Sequence, residues 1–307
     1  MSIRLSHTIK LPAAAKPGGF GSADLHHDSG MLFVARPGND AVDVINTIFG
    51  VCMYSVPELR GVAAVVAGQA LNEVFAADAH ENKIGFFQVA DRSAEKMVVG
   101  RRPSALAWDA RRGTLWVANL GHPAHAADCS LSVVDFVTQT RVSASVALPG
   151  RPCALHYDDS TNTLYASLDD PPRLLLFAGS APAEVAAVWT LPGANARALR
   201  IDCMKDRLLC MGADGSLVAL ALGSGSLAAA TILPGGPGGL AIHPGLRRIY
   251  VAQGGPGVVA TLDADTLQAV EFMQTEADAG TLYLDVPSNL LYVFCPLSCQ
   301  ALVFRVS

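Results

Sequence analysis

Four residues from three separate segments have side chains that proteins use to hold divalent metal ions. They are His80, His122, His125 and Asp169. Imidazole nitrogens combined with a carboxylate oxygen suit zinc or a similar ion. Such an ion could activate water, and His122 and His156 are the candidate catalytic groups for moving a proton. The spacing matches no zinc motif, however, and a loop histidine near an aspartate is more often simply solvated.

A second set of candidates consists of arginines in short polar segments. They are Arg36, Arg60, Arg101, Arg102, Arg151 and Arg197. Because a guanidinium fork pairs well with carboxylates and phosphates, these arginines predict an anionic ligand. The predicted ligand-binding set is Arg36, Arg60, Arg102, Arg151, Arg197 and Asn119. The alternative is that loop arginines serve solubility.

Composition narrows the classes of partner. The net charge of −5 is scattered along the chain without a basic stripe, so a nucleic acid partner is not expected. Residues 216–242 carry no charge, but glycine and proline interrupt them, which indicates strands and turns and not a membrane span. Residues 1–10 lack the apolar core of a signal peptide, which predicts a cytoplasmic location.

The cysteine pattern favours reduced thiols. The chain has seven cysteines and no Cys-x-x-Cys pair. Cys295 and Cys299 flank a short predicted hairpin loop and could pair if oxidised.

One short signature recurs seven times along the chain, and it sets the expected fold. It consists of an aliphatic residue, then in most copies an aromatic residue, and then two or three small or β-branched residues, as in Leu115-Trp116-Val117-Ala118. The second residues of the copies are Phe33, Phe75, Trp116, Tyr165, Leu209, Tyr250 and Tyr292. Their spacings of 42, 41, 49, 44, 41 and 42 match the period of a four-stranded propeller blade.

Other positions keep register with this landmark. Apolar residues stand ten and eight positions before it, as in Leu106 and Trp108, and predict an inner strand a. Histidine or aspartate stands seven positions before it in six copies, which predicts a hairpin turn leading into strand b, the landmark itself. A third apolar strand c and a fourth strand d, often ending in Leu-Pro-Gly, complete each blade.

The ends of the chain predict how the ring closes. The last copy breaks off after strand c, and residues 5–12 form an unmatched strand d with the same Leu-Pro ending. We therefore predict an all-β, seven-bladed β-propeller with four antiparallel strands per blade. Residues 1–307 would form a single domain in which residues 5–12 complete the blade formed by residues 279–307.

The segments Pro103-Ser-Ala-Leu-Ala-Trp-Asp109 and Ile249-Tyr-Val-Ala252 resemble the YVTN-type β-propeller repeat, and the likeness covers almost the whole chain. Propellers of this type include lactonases, lyases, cofactor-linked enzymes and binding scaffolds, so the resemblance implies fold more than function. The consensus asparagine after strand b is present only as Asn119. The other copies have Arg36, Asp78, Leu168, Gly212, Gln253 and Cys295 there.

The predicted loop geometry leads to two functional hypotheses. The d–a and b–c loops should meet on one face, where polar residues crowd the first four blades, and the extra length of the third copy fits between Asn119 and Cys129. The first hypothesis is a propeller that binds a small anionic molecule or a protein there. The second is a lactonase, hydrolase or lyase assisted by one divalent metal ion. His156 on strand a would face the channel or bond to a neighbouring blade.

Overall fold

The computed structural model describes residues 3–125, 128–137, 142–193 and 195–307. These residues form seven four-stranded antiparallel sheets, which are the blades of a seven-bladed β-propeller. The chain forms two compact units, one of residues 21–189 and one of residues 1–20 with 190–307. Its organisation as a single domain therefore stays a prediction.

The unit of residues 21–189, called here the four-blade unit, holds blades 1 to 4, with Thr190 of the last strand just past its boundary. Blade 1 is β2 (Ala23–His26), β3 (Met31–Arg36), β4 (Ala41–Asn46) and β5 (Val51–Val56). Blade 2 is β6 (Val62–Gly68), β7 (Glu73–Asp78), β8 (Lys83–Gln88) and β9 (Glu95–Val98). Blade 3 is β10 (Pro103–Asp109), β11 (Thr114–Asn119), β12 (Ser130–Asp135) and β13 (Val142–Ala147). Blade 4 is β14 (Pro152–Asp158), β15 (Thr163–Leu168), β16 (Arg173–Ala178) and β17 (Val185–Thr190).

The second unit, called the three-blade unit, holds blades 5 to 7. Blade 5 is β18 (Ala196–Asp202), β19 (Arg207–Gly212), β20 (Ser216–Ala221) and β21 (Leu227–Ile232). Blade 6 is β22 (Pro237–His243), β23 (Arg248–Gln253), β24 (Val258–Asp263) and β25 (Ala269–Gln274). Blade 7 is β26 (Thr281–Asp285), β27 (Leu290–Cys295), β28 (Gln300–Arg305) and β1 (Arg4–Lys10).

The first strand of the chain completes the last blade, as the sequence predicts. β1 pairs antiparallel with β28, with Lys10 opposite Gln300 and Arg4 opposite Arg305. The residue after β1, Leu11, donates its backbone N–H to the carbonyl of Cys299 at 2.9 Å. Closure by residues 5–12 is therefore confirmed.

Burial explains why the landmark is the most constant part of the repeat. The middle residues of strand b are enclosed on both faces, and the landmark aromatics Phe33, Trp116 and Tyr292 are 0% exposed. Strand d alternates between exposed and part-buried residues, as in β25. A strand enclosed on both faces tolerates only apolar or small residues, whereas an outer strand needs them on one face only.

A recurring backbone hydrogen bond anchors the end of strand d. A residue one to three positions after strand d donates to a carbonyl in the b–c loop, as Leu59 does to Asp40 at 2.8 Å and Leu148 to Cys129 at 2.9 Å. Leu148 belongs to one of the predicted Leu-Pro-Gly endings, and its side chain is buried. The Leu-Pro ending therefore marks the point where the outer strand is tied to the loop end of its blade.

The opposite end of the blades carries the predicted a–b turns. Asp109 accepts backbone N–H groups from Arg111 and Arg112 at 3.0 and 3.1 Å, and His243 accepts that of Leu246 at 3.1 Å. These bonds confirm that the aspartate or histidine of the repeat caps the turn. Short 3-10 helices occur at Pro37–Asn39 and Gln69–Leu71. Within the described ranges, no helix is long and apolar enough to cross a lipid bilayer.

Candidate functional site

Backbone hydrogen bonds join the d–a loops that carry the predicted arginines to the b–c loops that carry the predicted metal ligands. His80 donates its N–H to the carbonyl of Arg60 at 3.1 Å, and Asp169 does the same to Arg151 at 3.0 Å. In blade 3 the contact is double, because Leu120 and Gly121 donate to Arg102 and Arg101, each at 3.1 Å. At the loop end of blades 2, 3 and 4, the d–a loop of each blade is therefore hydrogen-bonded to its b–c loop, and these paired loops are called here the loop surface.

Two side chains connect neighbouring blades on this surface. The Oδ1 atom of Asp40 in blade 1 accepts the N–H of Gly61, which precedes blade 2. The Oδ1 atom of Asn82 in blade 2 accepts the N–H of Arg102, which precedes blade 3, at 2.9 Å. Asp40 and Asn82 have φ values of 49° and 59°, in the left-handed region that asparagine and aspartate tolerate. Sequence analysis missed this role, although both residues stand seven positions after the landmark.

Hydrogen bonds from two neighbouring segments hold the backbone of Arg102. Its backbone has φ 54°, its N–H is held by Asn82 and its carbonyl is held by Leu120. The side chain is half-buried, and the Nη1 atom is buried without a hydrogen-bond partner among the described residues. A buried donor without an acceptor lowers the free energy of unfolding by about 1–3 kcal/mol, so an acceptor that bonds to this guanidinium group would be stabilising.

Arg36 is placed inside its blade and not at the loop surface. It is 1% exposed, and its Nη1 lies 3.1 Å from Oδ2 of Asp43. Ser55 donates its hydroxyl to the other oxygen of Asp43 at 2.6 Å. Burial raises the pKa of Asp43, while the bonds from Ser55 and Arg36 partly offset that effect. The pair stabilises the interior of blade 1, so Arg36 is already matched with a carboxylate.

Arg60 also has a carboxylate partner, at the edge of a charged network in blade 2. Its Nε lies 3.4 Å from Glu81, and its side chain is 68% exposed. Lys96 bridges Glu81 and the buried Asp78 at 3.0 and 2.9 Å. Hydrogen bonds from Lys96 and then Lys83 lower the pKa of Glu81. The carboxylates of this loop are therefore neutralised by the chain's own cations.

Asn119 stabilises the end of a strand. It is fully buried, and its Nδ2 donates to Ser132 Oγ at 2.9 Å and to Ser130 Oγ at 3.2 Å. A Cβ atom on Gly100 would lie 2.4 Å from this nitrogen, so the amide packs directly against the d–a loop. The structure thus places Asn119 beneath the loop surface, in contact with the segment that carries Arg101 and Arg102.

The predicted metal ligands are brought together only in part. The rings of His122 and His125 are both exposed and stacked, with centroids 5.0 Å apart. The Nδ1 atom of His122 accepts the N–H of Ala124 at 3.2 Å. His80 lies in another blade, where its ring contacts Gly61. Among the residues described, no group of three or more His, Cys, Asp or Glu side chains could hold a metal ion. The residues present therefore do not fit the metal site that the sequence suggests.

The remaining candidates lie on the first strands of blades 4 and 5. His156 is half-buried on β14, opposite Tyr165 of β15. Asp24, at the corresponding position in blade 1, accepts the N–H of Ala67 in blade 2 at 2.9 Å, which matches the alternative that such residues bond to a neighbouring blade. Arg197 is exposed on β18 in the three-blade unit.

The cysteines are free thiols. No disulfide joins Cys295 and Cys299, and both sulfurs lie near backbone carbonyls. Burial raises the pKa of Cys295 to about 11. Their pairing under oxidation stays a prediction.

Comparison with known proteins confirms the fold. The chain is similar to a solved structure of Kuenenia stuttgartiensis hydrazine synthase, with a TM-score of 0.82, 15% identity and coverage of 97% of this chain and 96% of that one. It is also similar to a chain in a crystal structure of the mitotic checkpoint complex, with a TM-score of 0.82, 13% identity and coverage of 98% and 91%. At these identities the likeness shows the propeller fold alone.

No family model and no curated protein matches the chain. The seven-bladed propeller is thus established, whereas the narrower resemblance to the YVTN-type repeat is not confirmed. Function has to be argued from the loop surface itself.

Proposed function

We propose that the chain is a binding propeller whose four-blade unit recognises an anionic group beside Arg102. The observation that carries this proposal is the buried Nη1 atom of Arg102, which has no partner within the described ranges. A carboxylate or phosphate oxygen would satisfy it with a charge-assisted hydrogen bond, which is roughly twice as strong as a neutral one. Because Asn82 and Leu120 already hold the Arg102 backbone, binding would order little more than the side chain.

The surroundings of Arg102 also favour negative charge. Arg101 is exposed next to it, and Arg151 is half-buried at the start of blade 4. In the described part of the chain none of these three arginines forms an ion pair, in contrast to Arg36 and Arg60. His122 and His125 lie in the loop that is hydrogen-bonded to Arg101 and Arg102. These three guanidinium groups, which form no ion pair among the described residues, favour the binding of an anion.

The anionic group could belong to a small molecule or to an acidic side chain of a protein partner, and both offer the same oxygen chemistry. The similar propeller of the mitotic checkpoint complex is part of an assembly, which agrees with a protein partner for this fold. A metal-assisted lactonase, hydrolase or lyase is not proposed. The described residues hold no set of three ligands from which such a mechanism could start.

The proposal is tested by calorimetric titration and thermal unfolding with inorganic phosphate, citrate and a glutamate-rich peptide. A ligand at a hundred times its Kd stabilises the folded state by about 2.7 kcal/mol. Binding of phosphate or citrate would indicate a small anion, and binding of the peptide alone would indicate a protein partner.

A matched pair of variants then locates the site. Arg102→Gln should abolish the response, because it removes the unpaired charge. Arg111→Gln removes an exposed arginine from the a–b turn at the other end of blade 3 and should leave the response unchanged. Equal responses of both variants, or no response of the wild type to any of the three ligands, would overturn the proposal.

A further inference from the structure

The three-blade unit contains a cavity of about 310 Å³ at the loop end of blade 6. It is lined by Pro234, Gly235, Gln253, Pro256, Val258 and Phe272. Five of these six residues are apolar or have no side chain, and none is charged. Phe272 on β25 is 55% exposed although it forms part of the wall. The cavity volume lies at the lower end of the range for small-molecule sites.

Gln253 is the one polar side chain among the residues that line this cavity. It ends β23, three positions after the landmark Tyr250, and it is 2% exposed. Its Nε2 atom is buried and has no hydrogen-bond partner in the part of the chain that is described. An unsatisfied amide of this kind is uncommon in a folded protein and calls for an acceptor.

The strand opposite Gln253 explains why the amide is unpaired. In blades 1 and 3 the residue at this position bonds diagonally across to strand c. Arg36 reaches Asp43, and Asn119 reaches Ser132. Asp43 lies opposite the residue two positions before Arg36, and Ser132 lies opposite the residue two positions before Asn119. The residue that lies opposite the position two before Gln253 is Ala260, so Ala260 is the equivalent partner in blade 6. A methyl group accepts no hydrogen bond, so Gln253 lacks the strand c partner that Arg36 and Asn119 have.

The cavity is kept open by local backbone geometry. Gly235 has φ 100°, which favours glycine, and a Cβ atom there would lie 2.9 Å from Cγ of Pro256 and so project into the cavity wall. The turn after Pro256 is held by Gln274, whose Nε2 donates to the carbonyl of Gly257 at 2.9 Å. The space therefore results from a fixed turn and a missing side chain.

We propose that this cavity binds a small, uncharged and mostly apolar molecule whose carbonyl oxygen accepts a hydrogen bond from Gln253. The apolar wall would cover the ring or chain of the ligand, and Phe272 would lose its exposure to water. An ionised ligand is disfavoured, because no charged residue lines the cavity to replace its hydration. This site lies in the other unit from Arg102, so it does not depend on the proposed anion site.

The probes are fluoroacetophenone and fluoro-isopropylbenzene, which have nearly the same shape but differ in the carbonyl group. Fluorine NMR of each compound with the full-length protein measures binding by line broadening. The wild type should bind the ketone roughly three- to tenfold more tightly than the hydrocarbon, the range of one hydrogen bond. Equal affinities, or no binding of the ketone, would overturn the proposal.

Three variants locate the effect. Gln253→Leu should remove the preference for the ketone while keeping the apolar wall. Val258→Phe should block both probes by filling the cavity. Ile232→Ser is the control, since Ile232 is 78% exposed and does not line the cavity, and it should bind like the wild type. If Gln253→Leu keeps the ketone preference, or Ile232→Ser alone loses it, the binding lies elsewhere and the assignment to this cavity is wrong.

Discussion

Asn82 of blade 2 accepts the backbone N–H of Arg102 of blade 3 at 2.9 Å, so one blade sets the position of the candidate anion-binding residue of the next. Asp40 holds Gly61 in the same way one blade earlier. The repeat therefore contains a hydrogen bond between neighbouring blades at the loop end. This bond lies directly beside the arginines Arg60 and Arg102.

This relationship predicts that Asn82→Ala weakens anion binding about fivefold, the equivalent of about 1 kcal/mol, because Arg102 loses its backbone anchor. Isothermal titration with the anion found for the wild type measures the effect. Asn72→Ala is the matched control, since Asn72 also has positive φ, at 55°, but lies at the other end of blade 2. An equal loss of affinity in both variants would indicate general strain and contradict the anchoring role.

The buried pair of Arg36 and Asp43 predicts a large effect on stability. Arg36→Met should lower the free energy of unfolding by about 3–5 kcal/mol, because it leaves the carboxylate of Asp43 buried beside Ser55 without its cation. Adding Asp43→Leu should recover much of that loss. Arg60→Gln, which breaks an exposed pair, should cost less than about 1 kcal/mol. Urea unfolding measures all four proteins, and similar values for Arg36→Met and Arg60→Gln would show that the buried pair contributes little.

Asp202 predicts a loss of stability in acid. Burial opposes its ionisation, but hydrogen bonds from Arg247 and Arg207 outweigh burial and lower its pKa. A carboxylate with a lowered folded-state pKa stabilises the protein above its unfolded pKa of about 4, and that stability is lost as the pH falls through the folded pKa.

Asp202→Asn should therefore cost about 3 kcal/mol at neutral pH and much less at the acidic end of a urea-unfolding series. Asp206→Asn is the control, because Asp206 is an exposed residue of the same turn, with positive φ that asparagine also tolerates. A cost for Asp202→Asn that does not change with pH would contradict the role of the ion pairs.

The cysteines predict an order of chemical modification. Cys203 is exposed, whereas Cys129, Cys210 and Cys295 are buried. Burial raises the pKa of Cys210 and of Cys295, and the thiolate is the reactive form. Iodoacetamide should label Cys203 first, and the buried three only after unfolding, as mass spectrometry of peptides would show. Cys203→Ser should remove the first labelling event, and early labelling of Cys210 would mean that blade 5 opens readily.

Part of the loop surface could be predicted from the sequence. Asn82 stands in the same register as Asp40, so counting from the landmark would have found the connection between blades. The hydrogen bonds of Arg102 and Arg101 to the blade 3 loop follow from the predicted strand order, which places the d–a and b–c loops at one end.

The burial and the hydrogen-bond partners of the individual polar side chains could not be predicted from the sequence. Arg36 and Arg102 are the same residue type, yet Arg36 at the end of β3 is buried against Asp43, and Arg102 in the loop before β10 has an unpaired nitrogen. The partner of Arg36 depends on which residue of β4 lies diagonally opposite, and strand register sets that residue. The stacked pair of His122 and His125 likewise depends on loop conformation.

The sequence by itself determined the seven blades, the position of strand b in each and the closure of blade 7 by the first strand. These follow from apolar periodicity, because burial acts on each segment through its own residues. Only the tertiary structure decided that Nδ2 of Asn119 donates to Ser132, while Nε2 of Gln253, with Ala260 diagonally opposite, has no partner among the described residues. Hydrogen bonds are short-ranged and directional, so their pairing is fixed only when the strands are in register.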